Sequence, residues 1–459
     1  MGSTDTLNSQ KQIFGHPAGL YVLFFTEMWE RFSYYGMRAI LVLYLVAEST
    51  PDTINPGLNW ETGAALSLYG TYTMLVYVAS IPGGWIADNI LGQKKSVLYG
   101  GILLVLGHSI LAVEEMWAFY TGLGLIIAGV GMLKPNISSM VGGLYAQGDV
   151  RRDNGFIIFY IGINVGAFLS SLIVGYVGET YGWHYGFGLA GIGMTLGLIQ
   201  YLFGQKYLSQ VGDFIGNNKS DKGEDLLKKP LTSIEKDRLV VLFLSFILVI
   251  VFWGAFEQAG GLMNIYASEK TDRLFMGWLV PASWFQSLNA MFIIFLGTSV
   301  ATYWAKRKLK NQLSSSLFKM IIGLIIMGTG FFFMSAAATQ YESQGSSAMY
   351  WLVLAYLFHT IGELCISPVA LSYITKLAPL KYASLMMGVY FAMTGFGNKL
   401  AGLLGEASES LGEYTIFTGI AIFCIIFGGL VMLLRKKLEV LTHGAEDDEH
   451  IIHDEAEGF

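Results

Sequence analysis

Long apolar stretches recur along the chain at the spacing that is typical of membrane-spanning helices. Each is close to the ~20 residues that a helix needs to cross the hydrocarbon core of a bilayer. Because only short polar breaks separate most of them, the pattern predicts an all-α polytopic membrane protein with about twelve spanning helices. The predicted spans are 17–46, 62–88, 95–113, 117–145, 154–180, 183–204, 239–268, 278–304, 316–337, 348–376, 382–405 and 414–434.

The polar break over residues 205–238 divides the predicted helices into two groups of six. We therefore predict an N-terminal bundle over 17–204 and a C-terminal bundle over 239–434, with 205–238 as a linker. A polar segment, 1–16, precedes the first bundle, and an acidic tail, 435–459, follows the second. Two six-helix bundles are typical of the major facilitator fold, whose halves move about a site near the bilayer midplane.

Composition supports a membrane protein and disfavours other classes. Of the 459 residues, 53% are hydrophobic and 14% charged, whereas soluble domains carry about 25% charged residues. Both cysteines lie in apolar stretches, so we expect neither a disulfide framework nor a zinc site. We find no metal-ligand cluster, nucleophile elbow or phosphate loop, and we expect no catalytic residue, no metal and no nucleic-acid partner. A twelve-helix membrane enzyme or receptor is the less favoured alternative.

Lysine and arginine concentrate on one side of the predicted membrane. That side carries Lys94, Lys95, Arg151, Arg152, Lys306, Arg307, Lys308, Lys310, Lys376, Lys381 and the basic residues at 435–437. The opposite side carries Lys270 and Arg273 beside many acidic residues. Because cytoplasmic loops are enriched in Lys and Arg, we predict that the linker and both termini are cytoplasmic. The protein is then a multi-pass protein of the inner (plasma) membrane.

The first predicted helix carries four charged residues, Glu27, Glu30, Arg31 and Arg38. Helical spacing places Glu27, Arg31 and Arg38 on one stripe together with Tyr34. Each charge near a bilayer centre costs ~2.5–3.5 kcal/mol if it is unpaired. A helix that only anchors the chain has no reason to carry that cost, so the stripe predicts a wet, charged cavity and favours a transporter.

Charged residues of other predicted helices lie at matching depths. With a rise of ~1.5 Å per residue, Arg31 lies roughly 21 Å, Lys134 roughly 16 Å and Glu363 roughly 20 Å from the cytoplasmic ends of their helices. Glu257 and Arg38 lie higher, at roughly 27 Å and 31 Å. Arg31 and Lys134 in the N-terminal half and Glu363 in the C-terminal half are suited to bind a zwitterionic solute with separated charges. At the higher level, Glu257 can form a salt bridge with Arg38. The structural alternative is that these charges only pair among themselves and orient helices.

Motifs spread from the first to the eleventh helix surround these residues. They are Glu27-x-x-Glu30-Arg31-Phe32-x-Tyr34-Tyr35-Gly36, Gly83-Gly84-Trp85-Ile86-Ala87-Asp88, Lys134-Pro135-Asn136, Phe159-Tyr160-x-x-Ile163-Asn164-x-Gly166, Phe256-Glu257-Gln258 and Gly362-Glu363-Leu364-Cys365-x-Ser367-Pro368. Together they resemble the prokaryotic branch of the proton-dependent oligopeptide transporter (POT, or peptide transporter) family of the major facilitator superfamily. The resemblance implies a proton-coupled symporter that imports di- and tripeptides by alternating access.

The resemblance also implies a role for each motif residue. Arg31 and Lys134 would receive the peptide carboxylate, and Glu363 the amino terminus. The residues of proton coupling would be Glu27, Glu30, Glu257, Arg38 and Lys134. Further residues lining the peptide site would be Tyr34, Tyr35, Tyr77, Asn164, Trp284 and Asn289. Protons would be the coupling ion with no other cofactor, and the monomer would be the functional unit.

Two other functions remain open at the level of sequence. A relative that carries a small anion such as nitrate would also use Arg31 and Lys134, although Glu363 at the same depth would repel an anion. A peptide-sensing receptor without turnover would use the same binding residues. Uptake into proteoliposomes separates both from a peptide symporter.

Overall fold

The computed structural model describes residues 11–50, 55–145, 149, 151–213, 230–379 and 382–446. Parts of the predicted N-terminal segment, linker and acidic tail therefore lie outside the described residues, as does Lys381. Of the described residues, 83% are helical, which confirms the predicted all-α class.

Seven helices occupy the described part of the first half of the chain. They are α1 (Ala18–Val46), α2 (Thr62–Val78), α3 (Ser80–Ile86), α4 (Gln93–Leu111), α5 (Met116–Gly143), α6 (Arg151–Tyr181) and α7 (Trp183–Gly204). A π-helical turn, Ala87–Leu91, extends α3, and a 3-10 turn, Gln205–Tyr207, extends α7. The bounds of α7 are those predicted from the apolar pattern.

Seven further helices occupy the described part of the second half. They are α8 (Ser233–Phe256), α9 (Leu262–Glu269), α10 (Ser287–Leu309), α11 (Ser316–Gln344), α12 (Met349–Leu377), α13 (Ala383–Leu411) and α14 (Glu413–Val440). Two 3-10 turns, Glu257–Ala259 and Ala282–Gln286, precede α9 and α10.

Short two-residue strands lie in the connections. The strand β1 (Gln12–Ile13) pairs antiparallel with β2 (His16–Pro17), and β4 (Leu274–Phe275) pairs antiparallel with β5 (Trp278–Leu279). Two strands distant in sequence, β3 (Thr271–Asp272) and β6 (Ser347–Ala348), pair in parallel, with Thr271 opposite Ser347. The strands brace loops and do not form a core.

Local chemistry explains where several helices begin and end. Thr232 and Glu235 form a capping box at the start of α8, in which the Glu235 amide donates to Thr232 Oγ1 at 3.2 Å. Single glycines separate consecutive helices at Gly182 (φ 142°) and Gly412 (φ 78°). Because residues with a Cβ rarely adopt positive φ, these glycines permit connections of one residue.

Some predicted spans differ in detail from the observed helices, among them 239–268 and 278–304, although both stretches remain candidate membrane spans. The predicted helix 239–268 is broken, because α8 ends at Phe256 and α9 begins only at Leu262. The break contains Gly260 and Gly261, and glycine destabilises a helix interior by about 1 kcal/mol relative to alanine. The predicted helix 278–304 begins four residues later than expected, because β5 precedes Pro281 and proline favours helix starts.

The chain forms two compact units. One contains α1–α7, α9 and the start of α10 up to Ile294; within it, α1 packs against α6 and α7, and α4 packs against α5. The other contains α8, the rest of α10 and α11–α14; within it, α11 packs against α12 and α14, and α8 packs against α13.

Nine helical segments of the described chain are long and apolar enough to cross a membrane. They are Thr62–Leu91, Met116–Gly143, Asn154–Tyr181, Trp183–Tyr207, Ser233–Glu269, Ala282–Leu309, Ser316–Gln344, Met349–Ile374 and Glu413–Val440. The helix α1 is not among them, because each of its 18-residue stretches contains at least three of its four charged residues. The four charged side chains of α1 are nevertheless buried, as is typical of functional residues inside membrane helices.

Candidate functional site

An ion-paired cluster lies in the interior of the first unit. Arg31 is 2% exposed, Glu27 2% and Glu30 0%. The Arg31 Nε atom lies 3.2 Å from Glu27 Oε1 and also pairs with Glu30. The spacing of four residues places Glu27 and Arg31 on one face of α1, as the stripe predicted. One guanidinium thus bridges two buried carboxylates, and a buried charge without a counter-charge is costly.

The cluster retains unused hydrogen-bonding capacity. Glu27 Oε2, Glu30 Oε1 and Arg31 Nη2 are buried and have no hydrogen-bond partner among the described residues. Buried polar atoms without partners are rare in native proteins and call for an explanation. An Arg Nη2 donor in this position is suited to a carboxylate, which it can bind with a charge-assisted hydrogen bond.

Aromatic rings surround the guanidiniums of α1. The Arg31 Cζ atom lies 5.4 Å from the Tyr34 ring centroid and 5.7 Å from that of Tyr35. The Arg38 Cζ atom lies 4.9 Å from the same Tyr35 ring. Cation–π contacts of this kind stabilise a desolvated cation by up to about 2 kcal/mol. Tyr35 therefore connects the Arg31 cluster to Arg38, one of the predicted coupling residues.

Lys134 of α5 lies in the same unit as the Arg31 cluster. Its Nζ atom is 3.9 Å from the ring centroid of Tyr77 on α2, and it interacts electrostatically with Glu27. The next residue, Pro135, lies inside the helix and has no amide hydrogen to donate. Asn136 is buried and donates from Nδ2 to Met132 O at 2.7 Å, which stabilises the turn that carries Lys134.

A motif glycine on α6 determines how closely this helix approaches Arg31. A Cβ atom on Gly166 would lie 2.2 Å from Met28 O and 3.1 Å from Arg31 Cβ. Any larger residue would therefore force α6 away from α1. The neighbouring predicted residue, Asn164, is buried, and its Nδ2 donates to Tyr160 O of its own helix at 2.9 Å.

Trp284 lies in the 3-10 turn that precedes α10, Asn289 lies in the first turn of α10, and both are half-buried. The Trp284 Nε1 atom donates to Leu172 O on α6 at 3.0 Å, and its ring centroid lies 5.0 Å from that of Trp278. Trp284 therefore has a structural contact with α6, which the sequence did not predict.

Glu179 of α6 is a functional residue that the sequence pattern does not single out. Its carboxylate accepts hydrogen bonds from the backbone amides of Ala282 at 2.9 Å and Ser283 at 2.8 Å. Arg273 Nη1 lies 3.6 Å from the same carboxylate. Glu179 thus caps the turn that carries Trp284, because the first amides of a helical turn lack internal partners. More than one hundred residues separate the partners, so no local pattern reveals the contact.

The second unit contains two buried carboxylates of its own. Glu363 on α12 is 9% exposed. It follows Gly362, whose carbonyl oxygen would lie 2.7 Å from a Cβ atom on Gly323 of α11. This close approach of α11 and α12 fixes the helix turn that presents Glu363.

Glu257 is 2% exposed and begins the 3-10 turn that follows α8. The next residue, Gln258, donates from Nε2 to Ala401 O of α13 at 3.0 Å. This hydrogen bond anchors the turn that carries Glu257 to a neighbouring helix of the same unit.

Within the described residues, no group of three or more His, Cys, Asp and Glu side chains is arranged to hold a metal ion. Cys365 and Cys424 are free and buried. Each unit carries buried ionisable side chains on long apolar helices. These features define a polytopic membrane protein with a buried charged site, the class to which solute transporters belong.

Comparison with known proteins gives a more specific assignment. The family model described as the POT family matches residues 94–227 and 226–415. The uncharacterized transporter YclF of Bacillus subtilis is 38% identical over 95% of this chain and 97% of its own. A di-/tripeptide transporter of Lactococcus lactis subsp. cremoris is 33% identical over 94% and 97%. The chain therefore belongs to the POT family, which confirms the family assignment made from its sequence motifs.

A solved structure is similar over nearly the whole chain. The crystal structure of a POT family transporter in complex with a thioalcohol conjugated peptide has a TM-score of 0.86 and is 32% identical. The match covers 94% of this chain and 99% of that one. The protein is therefore a membrane transporter of a peptide-transporting family, and the prediction that it is not an enzyme is confirmed.

Proposed function

We propose that the protein is a proton-coupled symporter that imports di- and tripeptides through the inner membrane. The observation that carries the proposal is the buried Arg31 guanidinium, which pairs with two carboxylates and keeps Nη2 without a partner among the described residues. Ionisable residues inside membrane helices are costly and typically mark substrate or proton pathways. The name of the Lactococcus relative supports short peptides as the substrate.

In this proposal the two ends of the peptide bind opposite charges. Arg31 and Lys134 receive the carboxylate, and Glu363 receives the amino terminus, because each then gains a charge-assisted hydrogen bond. The peptide itself contacts Tyr34, Tyr35, Tyr77, Asn164, Trp284 and Asn289. The tyrosine contacts to Arg31 and Lys134 support this assignment, since they hold both cations in defined positions.

Proton coupling in this proposal begins with the same cluster. Glu27 and Glu30 balance Arg31 and Lys134 when all four are ionised. A peptide carboxylate adds a third negative charge, which favours proton uptake by a neighbouring glutamate. Linkage is reciprocal, so proton binding must favour peptide binding by the same coupling free energy.

A second coupling element is Glu257, which exchanges between a proton and Arg38. Loss of the proton leaves a carboxylate that needs a counter-charge, and binding of the proton releases Arg38. Each protonation state then favours one side of alternating access.

We further propose that α1, α4 and α13 also cross the bilayer, which gives twelve spans and cytoplasmic termini. The ion pairs and cation–π contacts of α1 offset the cost of its charges and support this count. The predicted bundles 17–204 and 239–434 remain our assignment of the two halves. The monomer is the functional unit, and protons are its coupling ion, with no other cofactor.

The first prediction concerns substrate length. An extended chain spans ~3.3–3.6 Å per residue, so fixed positions for the two peptide ends admit only short peptides. Dialanine and trialanine should compete with labelled dialanine for uptake into proteoliposomes, whereas alanine and tetraalanine should compete poorly. Equal competition by tetraalanine would contradict fixed binding sites for both ends. Competition by nitrate without competition by trialanine would favour the anion transporter instead.

The second prediction concerns the amino terminus. Glu363→Gln should weaken binding of dialanine by about 10- to 100-fold, because a hydrogen bond to a charged group contributes about 1.5–3 kcal/mol. Amino-blocked dialanine should lose far less affinity. The measurement is competition for uptake by both peptides. Glu342→Gln, at an exposed position of α11, is the matched control and should change neither. An equal loss for both peptides in Glu363→Gln would make Glu363 a structural residue.

A further inference from the structure

An apolar groove lies on the surface of the second unit beside α10. The candidate span Ala282–Leu309 is the least buried of the nine in the described chain. In its apolar 18-residue stretch, 17% is buried by the rest of the protein, compared with 39–61% in the other eight spans. The groove has a volume of about 550 Å³. Its lining comes from α10, α11 and α12 and includes Val300, Tyr303, Trp304, Phe318, Ile322 and Ile361.

A basic cavity of about 630 Å³ lies beside this groove, because Lys308 and Lys319 of its lining directly follow Arg307 and Phe318 of the groove lining. Its charged lining consists of Lys308, Lys319, Lys376, Arg435, Glu439 and Glu446. Both carboxylates already accept hydrogen bonds from protein groups. Glu446 Oε1 accepts from the Ser316 amide at 3.1 Å, and Glu439 Oε1 lies 3.1 Å from Arg435 Nη1. Four cations and two carboxylates line the cavity, so the lining has an excess of positive charge.

Two aromatic rings of the groove lining, those of Phe318 and Trp304, are in contact with cations. The Phe318 ring centroid lies 5.9 Å from Arg307 Cζ and 5.6 Å from Arg435 Cζ. The Trp304 ring centroid lies 5.7 Å from Lys319 Nζ. The cations Arg307, Lys319 and Arg435 therefore lie directly beside the apolar lining of the groove.

Arg307 lies at this boundary and lines the groove. Its Nε donates to Leu313 O at 3.1 Å, and its Nη1 donates to Tyr303 Oη at 3.3 Å. A guanidinium has five N–H donors, and these are its two hydrogen bonds within the described part of the chain. The remaining donors suit a phosphate, which arginine binds in a forked geometry.

We infer that the groove and its row of cations form a binding site for an anionic phospholipid. One acyl chain lies along Val300, Trp304 and Ile322, and the phosphate binds Arg307 with Lys319 nearby. Basic pockets between membrane helices are suited to anionic headgroups. A partner helix fits less well, because helix interfaces in membranes favour small residues and this groove is lined by bulky ones. The site does not depend on which solute the protein carries.

The test uses the full-length protein in neutral detergent with two lipids of identical acyl chains, dioleoylphosphatidylglycerol and dioleoylphosphatidylcholine. Binding is measured by native mass spectrometry, and contact with the groove is measured by tryptophan quenching with brominated acyl chains. Both lipids carry the phosphate that Arg307 binds, but phosphatidylcholine also carries a quaternary ammonium, which the neighbouring cations repel. We therefore expect the wild type to prefer phosphatidylglycerol by about tenfold or more. Trp304→Phe should remove the quenching component that saturates with phosphatidylglycerol.

Variants of two adjacent basic residues make the test specific. Arg307→Gln should abolish the preference for phosphatidylglycerol, whereas Arg307→Lys should retain most of it. Lys306→Gln, which removes the same charge from an exposed neighbour outside both linings, should bind like the wild type. The native masses also report whether each variant remains a folded, monodisperse protein.

Other outcomes would overturn the proposal. Equal binding of the two lipids by the wild type, or the same loss in Lys306→Gln as in Arg307→Gln, would exclude a specific site. Displacement by inorganic phosphate at the concentration of the lipid would show that the acyl chain contributes nothing. A dimeric mass without bound lipid would show that a second copy covers this face. Peptide uptake is not measured, so these outcomes leave the proposed function untouched.

Discussion

Arg31→Ala is expected to abolish proton-driven uptake of dialanine into proteoliposomes, by at least about 100-fold. The substitution removes the guanidinium that pairs with Glu27 and Glu30, so two buried carboxylates lose their counter-charge. Breaking a buried ion pair in this way costs about 3–5 kcal/mol. The incoming peptide carboxylate also loses its charge-assisted donor and meets two like charges instead.

Two further variants keep this prediction specific to the site. Arg31→Lys retains the charge without the forked geometry and should recover part of the uptake. Arg152→Ala makes the same substitution at an exposed position of α6 and should leave uptake unchanged. Size-exclusion profiles and thermal unfolding identify variants that fail to fold. A folded Arg31→Ala protein with wild-type uptake would contradict the role proposed for Arg31.

Glu257→Gln is expected to lose uphill accumulation of peptide while it keeps exchange of peptide across the membrane. The amide mimics a permanently protonated carboxylate, so the residue can no longer alternate between a proton and Arg38. Coupling to the gradient is then lost although the peptide-binding residues are intact. The two activities are measured in the same proteoliposomes, by accumulation under a pH gradient and by counterflow without one.

The matched control for this residue is Glu269→Gln, at an exposed position of α9, which should retain both activities. If Glu257→Gln responded to an imposed pH gradient like the wild type, Glu257 would have no part in coupling. If it lost exchange as well, the residue would be needed for binding or folding.

The helices were predictable because their signal is local. An apolar stretch of membrane length defines a helix whatever it packs against, and α7 has the predicted bounds 183–204. The break between α8 and α9 escaped prediction, since hydropathy alone treats Gly260 and Gly261 as part of one apolar stretch. Two consecutive glycines do not by themselves reveal the break, because Gly100 and Gly101 lie inside the continuous helix α4.

The candidate site was predictable where its residues share one helix. Glu27 and Arg31 are four residues apart, so helix geometry alone brings them together. The contact of Lys134 with Tyr77 was not predicted, although both residues were named, because it depends on how α2 and α5 pack. The contact of Glu179 with Ser283 escaped for the same reason. Contacts between residues that are distant in sequence depend on how the helices pack, and no periodic pattern in a single sequence reveals that packing.

Uptake of labelled dialanine by purified protein in proteoliposomes measures whether peptide import is driven by protons. The external medium is acidified, and a protonophore is added to a parallel sample. For a proton-coupled symporter, dialanine should accumulate above its external concentration, and the protonophore should abolish the accumulation. A negative internal potential should increase accumulation, because it contributes about 2.3 kcal/mol per 100 mV for each net positive charge that enters. Dialanine that only equilibrates, with or without the proton gradient, would contradict proton-coupled symport.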